Sequence, residues 1–116
     1  MNVTTVPNEN VWTIVVAAGS GARFGGPKQF SMLGDRRVLD WSVETAGSSS
    51  TGVVVVLPAA DAEREGGVAG GETRSESVRC GLAAVPAEAT IICVHDAARP
   101  FASAHLYREV IMQVHA

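Results

Sequence analysis

The chain has 116 residues, of which 47% are hydrophobic, 18% charged and 5% aromatic, and its formal net charge is −3. These values are typical of one ordinary globular domain, and they exclude a disordered tail, a collagen repeat and a coiled coil. The acidic balance and the few aromatic residues argue against nucleic-acid binding, because a basic footprint and a platform for stacking bases are both missing.

Residues 1–10 are polar, lack the pattern of a secretory signal, and are predicted to form a loose N-terminal leader. The apolar runs, such as residues 53–57, are far shorter than the roughly 20 residues that a bilayer requires, so no membrane association is expected. The two cysteines, Cys80 and Cys93, do not form a C-x-x-C motif. We interpret them as reduced, buried residues, which favours a cytoplasmic location.

Buried strands and helical segments alternate along the chain. Apolar, β-branched runs predict strands at residues 11–18, 52–57 and 90–94. Helices are predicted at residues 38–46, 59–67, 75–85 and 103–114, with Ser75 or Ser77 near the start of the third helix. Residues 68–71 are too short to predict as a strand. This order predicts an α/β fold in three layers, with a mostly parallel sheet, in a single domain over residues 1–116.

The last predicted helix has no glycine or proline stop signal, so we expect the domain to be truncated. In parallel sheets of this kind, ligands bind at the carboxyl ends of the strands. Residues 19–28 and 95–100 both follow predicted strands, and the functional site is therefore expected there.

A glycine-rich segment, AAGSGARFGGPKQF at residues 17–30, follows the first strand. Such a turn exposes backbone N–H groups that can hold a phosphate. It is not a Walker A loop, because Lys28 precedes Gln29 rather than Ser or Thr. It is not a dinucleotide fingerprint either, because Phe24 stands where the third glycine is needed. The loop carries its own cations, Arg23 and Lys28.

Lys28 is the only lysine, and the other eight cations are arginines. A compact ammonium group beside phosphate oxygens would explain a lysine at this position, whereas a solvated surface lysine is the plainer alternative.

Two further segments are candidates for the site. GGETRSESVRCGL, at residues 70–82, reads either as an ordinary helix start or as a loop that contacts a nucleobase. VHDAARPF, at residues 94–101, places Asp96 just after a strand, where a carboxylate can hold Mg²⁺. Arg99 can pair with a phosphate or with a carboxylate. His95 should point to the opposite face from Asp96 and is expected to pack in the interior.

Taken in order, the three segments resemble the family of 2-C-methyl-D-erythritol 4-phosphate cytidylyltransferases of the non-mevalonate isoprenoid pathway. The third segment is the most specific, whereas the first is shared with a wider group of nucleotidyltransferases. The resemblance covers about residues 11–101. It implies a Rossmann-like nucleotidyltransferase fold and Mg²⁺-dependent transfer of CMP from CTP to methylerythritol phosphate with release of pyrophosphate.

The resemblance also implies a role for each matching residue. Arg23 and Lys28 match the catalytic cations that bind the triphosphate. Asp96 matches an aspartate that contacts metal and substrate, and Arg99 matches a substrate-binding arginine. The residues matching the nucleotide-binding positions are Ala17, Ala18, Gly19, Ser20, Gly21, Gly71, Glu72 and Ser77. The family often has Asp where Glu72 stands.

Members of that family are about twice as long, and their second half supplies a dimerisation arm and much of the substrate pocket. A homodimer is therefore implied by the resemblance, although the arm is missing here. Three alternatives stay open from the sequence. They are a related ribitol phosphate cytidylyltransferase, a non-catalytic nucleotide-binding module and a non-functional fragment.

Overall fold

The computed structural model describes residues 10–18 and 28–97, with the backbone alone of Lys28. These residues form six strands, three helices and one 3-10 turn, Lys28–Phe30. The strands are β1 (Val11–Val16), β2 (Met32–Leu33), β3 (Arg36–Arg37), β4 (Gly52–Leu57), β5 (Val68–Ala69) and β6 (Ile91–Asp96). The helices are α1 (Val38–Gly47), α2 (Ala59–Glu65) and α3 (Arg74–Ala84).

The main sheet has the order β5-β4-β1-β6, and all of its neighbouring strands are parallel. Ile14 at the centre of β1 pairs with Val54 on one side and Val94 on the other. Strands β2 and β3 form a separate antiparallel hairpin. The predicted α/β fold with a parallel sheet is confirmed. No helix in the described part of the chain is long and apolar enough to cross a membrane.

Helices cover the sheet on both faces, so the fold has three layers. On one face, Leu39 and Ala46 of α1 and Ala62 of α2 pack with the fully buried Val15 and Leu57. On the other face, α3 packs against the side chains of β1 and β4. The β-branched residues that predicted these strands are buried between the helices, as a parallel sheet requires.

The close packing of α3 depends on Gly81. A methyl group added there would lie 2.6 Å from Cγ2 of Ile14 and 3.0 Å from Cγ2 of Val56. Both neighbours are fully buried and β-branched, so they have little freedom to move aside.

We expect Gly81→Val to lower the free energy of unfolding by about 1–3 kcal/mol, because the added methyl groups overpack the interface. Urea denaturation followed by circular dichroism measures this change. Ala83→Val is the matched control, since it adds the same residue type at an exposed position of the same helix. Equal stability losses in the two variants would contradict the packing role of Gly81.

Several predicted boundaries need correction. Strand β1 ends at Val16 rather than at residue 18, and β6 covers Ile91–Asp96 rather than residues 90–94. The polar residues His95 and Asp96 stay in the strand because they pair with Val15 and Val16. A short strand, β5, does form at Val68–Ala69, because it pairs with the end of β4. The hairpin of β2 and β3 was not predicted.

Helix α3 begins at Arg74, one residue before the predicted start at residue 75, and its N-cap differs from the expected serines. Thr73, rather than Ser75 or Ser77, is the N-cap residue. Its Oγ1 accepts from the N–H of Glu76 at 3.1 Å, and the Glu76 carboxylate accepts from the N–H of Thr73 at 3.0 Å. This reciprocal pair is a capping box, which satisfies two N–H groups at the helix start. Hydrogen bonds from the backbone N–H of Thr73 and from its side chain to the carboxylate lower the pKa of Glu76.

Two smaller expectations are corrected as well. Asn10 was assigned to the loose leader, yet its N–H donates to Oγ1 of Thr90 at 2.9 Å. Cys80 and Cys93 are free thiols but only half-buried, and burial raises the pKa of Cys93. The leader residues 1–9 and the predicted helix at residues 103–114 lie outside the described residues.

Candidate functional site

The carboxyl ends of the parallel strands bring the predicted segments together. Beyond the strand ends, the N–H of Ala17 donates to the carbonyl of Val56 at 2.7 Å, and that of Ala97 to Val16 at 3.0 Å. The N–H of Gly70 donates to Leu57 at 2.8 Å. These bonds continue the hydrogen-bonding pattern of the parallel strands. The residues that follow β1, β5 and β6 therefore lie side by side at one edge of the sheet, the edge formed by the carboxyl ends of its strands.

The glycine-rich segment and the predicted base-recognition segment are in direct contact. A methyl group added at Gly70 would lie 2.6 Å from Cβ of Ala18 and 2.7 Å from Oγ of Ser77. Only a residue without a side chain allows this approach. The structure therefore brings Ala18 against Gly70, the residue before Gly71 and Glu72 in that loop, whereas Ala17 packs on the opposite face with Val15 and Leu57.

Ser77 is buried, and its hydroxyl holds that loop in place. The N–H of Gly71 donates to Oγ of Ser77 at 3.2 Å, and Ser77 is 2% exposed. Gly71 and Glu72, in contrast, are exposed. The backbone groups of Gly71 and Glu72 are thus accessible to a ligand, and the hydrogen bond with Ser77 holds the loop against α3.

Asp96 occupies the last position of β6 and is half-buried. Its Oδ1 lies 3.2 Å from Nε of Arg74, the first residue of α3. His95, on the opposite face of the strand, is 8% exposed. The expectation that His95 packs in the interior is confirmed.

Sequence reasoning missed Arg74. A cation in the first turn of a helix is mildly disfavoured by the helix dipole, so a nearby carboxylate would offset that cost for an arginine there. That rule was the available signal, but only the fold shows that the partner is Asp96. The ion pair joins the predicted base-recognition segment to the predicted metal-binding residue.

Gln29 was missed as well. Its side chain is 6% exposed, and its Nε2 donates to the carbonyl of Ala17 at 2.8 Å. Gln29 lies in the 3-10 turn that begins at Lys28, so this bond ties the turn to the residue that follows β1.

A network of ion pairs lies beside this turn. Arg37 donates to Asp40 and to Glu65, at 2.8 Å and 2.9 Å for its closest contacts. The Arg37 side chain thereby lowers the pKa of both carboxyl groups, and their hydrogen bonds raise the pKa of Arg37. The guanidinium carbons of Arg37 and Arg64 lie 5.9 Å and 5.4 Å from the ring centre of Phe30.

These ion pairs line a cavity of about 300 Å³ between α1, α2 and β4. The opposite charges of the network are paired with one another, so the cavity offers little attraction to a charged ligand. We interpret the network as structural support for the 3-10 turn through Phe30.

The described residues do not contain a ready-made cluster of three or more metal ligands, whether His, Cys, Asp or Glu. Asp96 remains the predicted metal ligand in this part of the chain. The other predicted residues Gly19, Ser20, Gly21, Arg23 and Arg99 lie outside the described residues, as does the side chain of Lys28.

Comparison with solved structures identifies the class of protein. The crystal structure of a 4-diphosphocytidyl-2C-methyl-D-erythritol synthase from Anaerococcus prevotii superposes with a TM-score of 0.78 and 26% sequence identity. The match covers 92% of this chain and 52% of that chain. The fold is therefore the α/β fold of a cytidylyltransferase.

Sequence comparison identifies the family. The family model of 2-C-methyl-D-erythritol 4-phosphate cytidylyltransferase, IspD, matches residues 11–116, and the chain belongs to this family. It is 42% identical to a bifunctional enzyme IspD/IspF from Dinoroseobacter shibae, with 90% of this chain and 30% of that protein covered. A second IspD/IspF enzyme, from Anaeromyxobacter dehalogenans, is 46% identical over 87% of this chain and 29% of its own length. The chain thus spans less than a third of these relatives and about half of the solved structure.

Proposed function

We propose that this domain is the nucleotide-binding part of an enzyme that transfers CMP from CTP to 2-C-methyl-D-erythritol 4-phosphate. The observation that carries the proposal is the close approach of Ala18 to Gly70, at the start of the loop that carries Gly71 and Glu72, at the same end of the sheet as Asp96. Membership of the IspD family supports the choice of CTP and of the acceptor.

The reaction needs little covalent help from the protein. An oxygen of the acceptor phosphate attacks the α-phosphorus of CTP in line, the bond to the β-phosphate breaks, and pyrophosphate leaves. The attacking phosphate is already anionic, so no general base is required. Arg23 and Lys28 are proposed to stabilise the charge on the triphosphate in the transition state, and Arg99 to bind the acceptor phosphate.

Asp96 is proposed to hold a divalent cation, Mg²⁺ in this chain. One carboxylate suits this ion, because Mg²⁺ in nucleotide sites is held by one or two carboxylates together with the substrate phosphates. The half-buried carboxylate at the strand end fits that role once the exposed Arg74 side chain moves away. When bound, Mg²⁺ would neutralise charge on the phosphates.

The proposed nucleotide contacts use mostly main-chain groups. Gly71 and Glu72 are exposed at the sheet edge, where their backbone groups are accessible to a base. Gly19, Ser20 and Gly21 are proposed to cradle the phosphates beside Ala17 and Ala18. On the family resemblance, we also propose a cytoplasmic homodimer.

Calorimetric titration of the purified chain with CTP and Mg²⁺, with ATP and GTP as controls, tests the proposal. We expect saturable binding of CTP and at least about tenfold weaker binding of either purine nucleotide, a difference of about 1.4 kcal/mol. Equal affinity for the three nucleotides, or no binding, would contradict it. Because the chain spans only part of its relatives, a pyrophosphate-release assay then separates a catalytic domain from a binding module.

A further inference from the structure

The segment that contains Lys28 is anchored to the sheet through its neighbours. The backbone of Lys28 belongs to the 3-10 turn Lys28–Phe30, and successive Cα atoms are about 3.8 Å apart. A contact that fixes Gln29 therefore restricts the position of the Lys28 backbone. Contacts of Gln29, Phe30 and Ser31 hold this segment against the rest of the fold.

Gln29 makes the anchor nearest to β1. Its amide Nε2 donates to the carbonyl of Ala17 at 2.8 Å, and the residue is 6% exposed. The N–H of Ala17 donates to Val56 at 2.7 Å, so both polar backbone groups of Ala17 are bonded. The side-chain amide of Gln29 thus bonds to a residue whose own N–H is already hydrogen-bonded to β4.

The other end of the turn is held separately. Phe30 packs against the core face that contains Val15 and Leu57, and the guanidinium groups of Arg37 and Arg64 lie near its ring. The carbonyl of Ser31 accepts from the N–H of Val38 at 2.9 Å, at the start of α1. The cluster against which Phe30 packs also contains Ala17, so Phe30 supports the same region through apolar contact. The hydrogen bond of Gln29 adds a directional link from the turn to the carbonyl of Ala17.

Burying the polar amide of Gln29 costs free energy of hydration. An apolar side chain of the same size would avoid the loss of hydration, so the benefit of glutamine here is the direction of its hydrogen bond. We propose that Gln29 is a positioning residue that holds the backbone of Lys28 at the carboxyl end of β1, in reach of the triphosphate. The functional part of this inference rests on the proposed function, whereas the positioning part does not.

The unique lysine provides a direct measurement. Reductive methylation with ¹³C-formaldehyde labels Lys28 and the N-terminal amine, and the Lys28→Arg variant assigns the two NMR signals. In the parent chain we expect the Lys28 signal to differ from its position in urea. In Gln29→Met, which keeps the length of the side chain but cannot donate, we expect it to move toward the urea position. Gln29→Glu should do the same, because a carboxylate cannot donate to the Ala17 carbonyl either.

Ser42→Ala is the matched control. Ser42 is fully buried, and its Oγ donates to the carbonyl of Ala97 at 2.9 Å, after β6. The variant loses a similar bond at a different strand end, so its melting temperature should fall by several degrees, as it should for Gln29→Met. Its Lys28 signal should stay at the parent position. A merely structural role for Gln29 would make the two variants alike in both measurements.

Two outcomes overturn the inference. One is an unchanged Lys28 signal in both Gln29 variants while they remain folded, and the other is an equal shift in Ser42→Ala. Addition of CTP and Mg²⁺ to the labelled parent tests the proposed function separately. If CTP leaves the Lys28 signal unmoved while the Gln29 variants shift it, the positioning role stands and the assignment of Lys28 to the triphosphate is wrong.

Discussion

Replacing Lys28 with alanine weakens the binding of CTP by about 10- to 100-fold. This expectation follows from the loss of a charge-assisted contact with the triphosphate, since hydrogen bonds to charged groups contribute about 1.5–3 kcal/mol. The effect should be confined to nucleotides with a triphosphate, so the affinity for cytidine should be unchanged. Calorimetric titration of both ligands measures the two effects.

Arg79→Ala is a suitable control for this experiment. Arg79 is exposed on α3, and its removal changes the net charge by the same amount. A general electrostatic attraction of CTP to the chain would be weakened equally in the two variants. The same CTP affinity in Lys28→Ala and the parent would remove Lys28 from the site.

Asp96→Asn abolishes most of the dependence of CTP binding on Mg²⁺. In the parent we expect at least about a tenfold difference in affinity between Mg²⁺ and excess EDTA, because Asp96 would hold the cation and the cation would offset the charge of the phosphates. The amide is a far weaker ligand, so the ratio should fall toward one. The measurement is a pair of CTP titrations for each variant.

The ion pair of Asp96 with Arg74 gives the Asp96→Asn variant a second effect on CTP binding. Removal of the carboxylate also frees Arg74, which could then attract the triphosphate in the absence of metal. The double variant Arg74→Gln and Asp96→Asn separates this effect from loss of the metal ligand. Asp35→Asn, in the exposed turn between β2 and β3, controls for the change in net charge. A metal dependence in Asp96→Asn equal to that of the parent would exclude Asp96 as the ligand.

The main elements follow from local sequence pattern. The apolar run Gly52–Leu57 predicts β4 with both boundaries correct, because a strand buried on both faces must be apolar throughout and Pro58 cannot continue the ladder. Helix α1 was predicted to within one residue from its apolar spacing. Alternation of these elements is enough to predict a parallel α/β sheet, and hence the edge at which ligands bind.

Other elements depend on contacts between distant residues. The polar pair His95 and Asp96 belongs to β6 only because β1 supplies partners for their backbone groups. The start of α3 was misplaced because Thr73, Ser75 and Ser77 are all acceptable N-caps by residue type. The capping box of Thr73 and Glu76 is a local T-x-x-E pattern that identifies Thr73 as the cap, whereas the burial of Ser77 against Gly70 is a contact that only the fold shows.

The sequence alone determined the fold class, the glycine-rich segment after β1 and the family, because hydrophobic period and ordered motifs are properties of the chain itself. The tertiary structure decided which groups meet at the sheet edge. Arg74 pairs with Asp96 across 22 positions, and Gln29 reaches back 12 positions to Ala17. Such pairs form only when the parallel strands align their ends. A pattern of neighbouring residues therefore cannot predict these long-range hydrogen bonds.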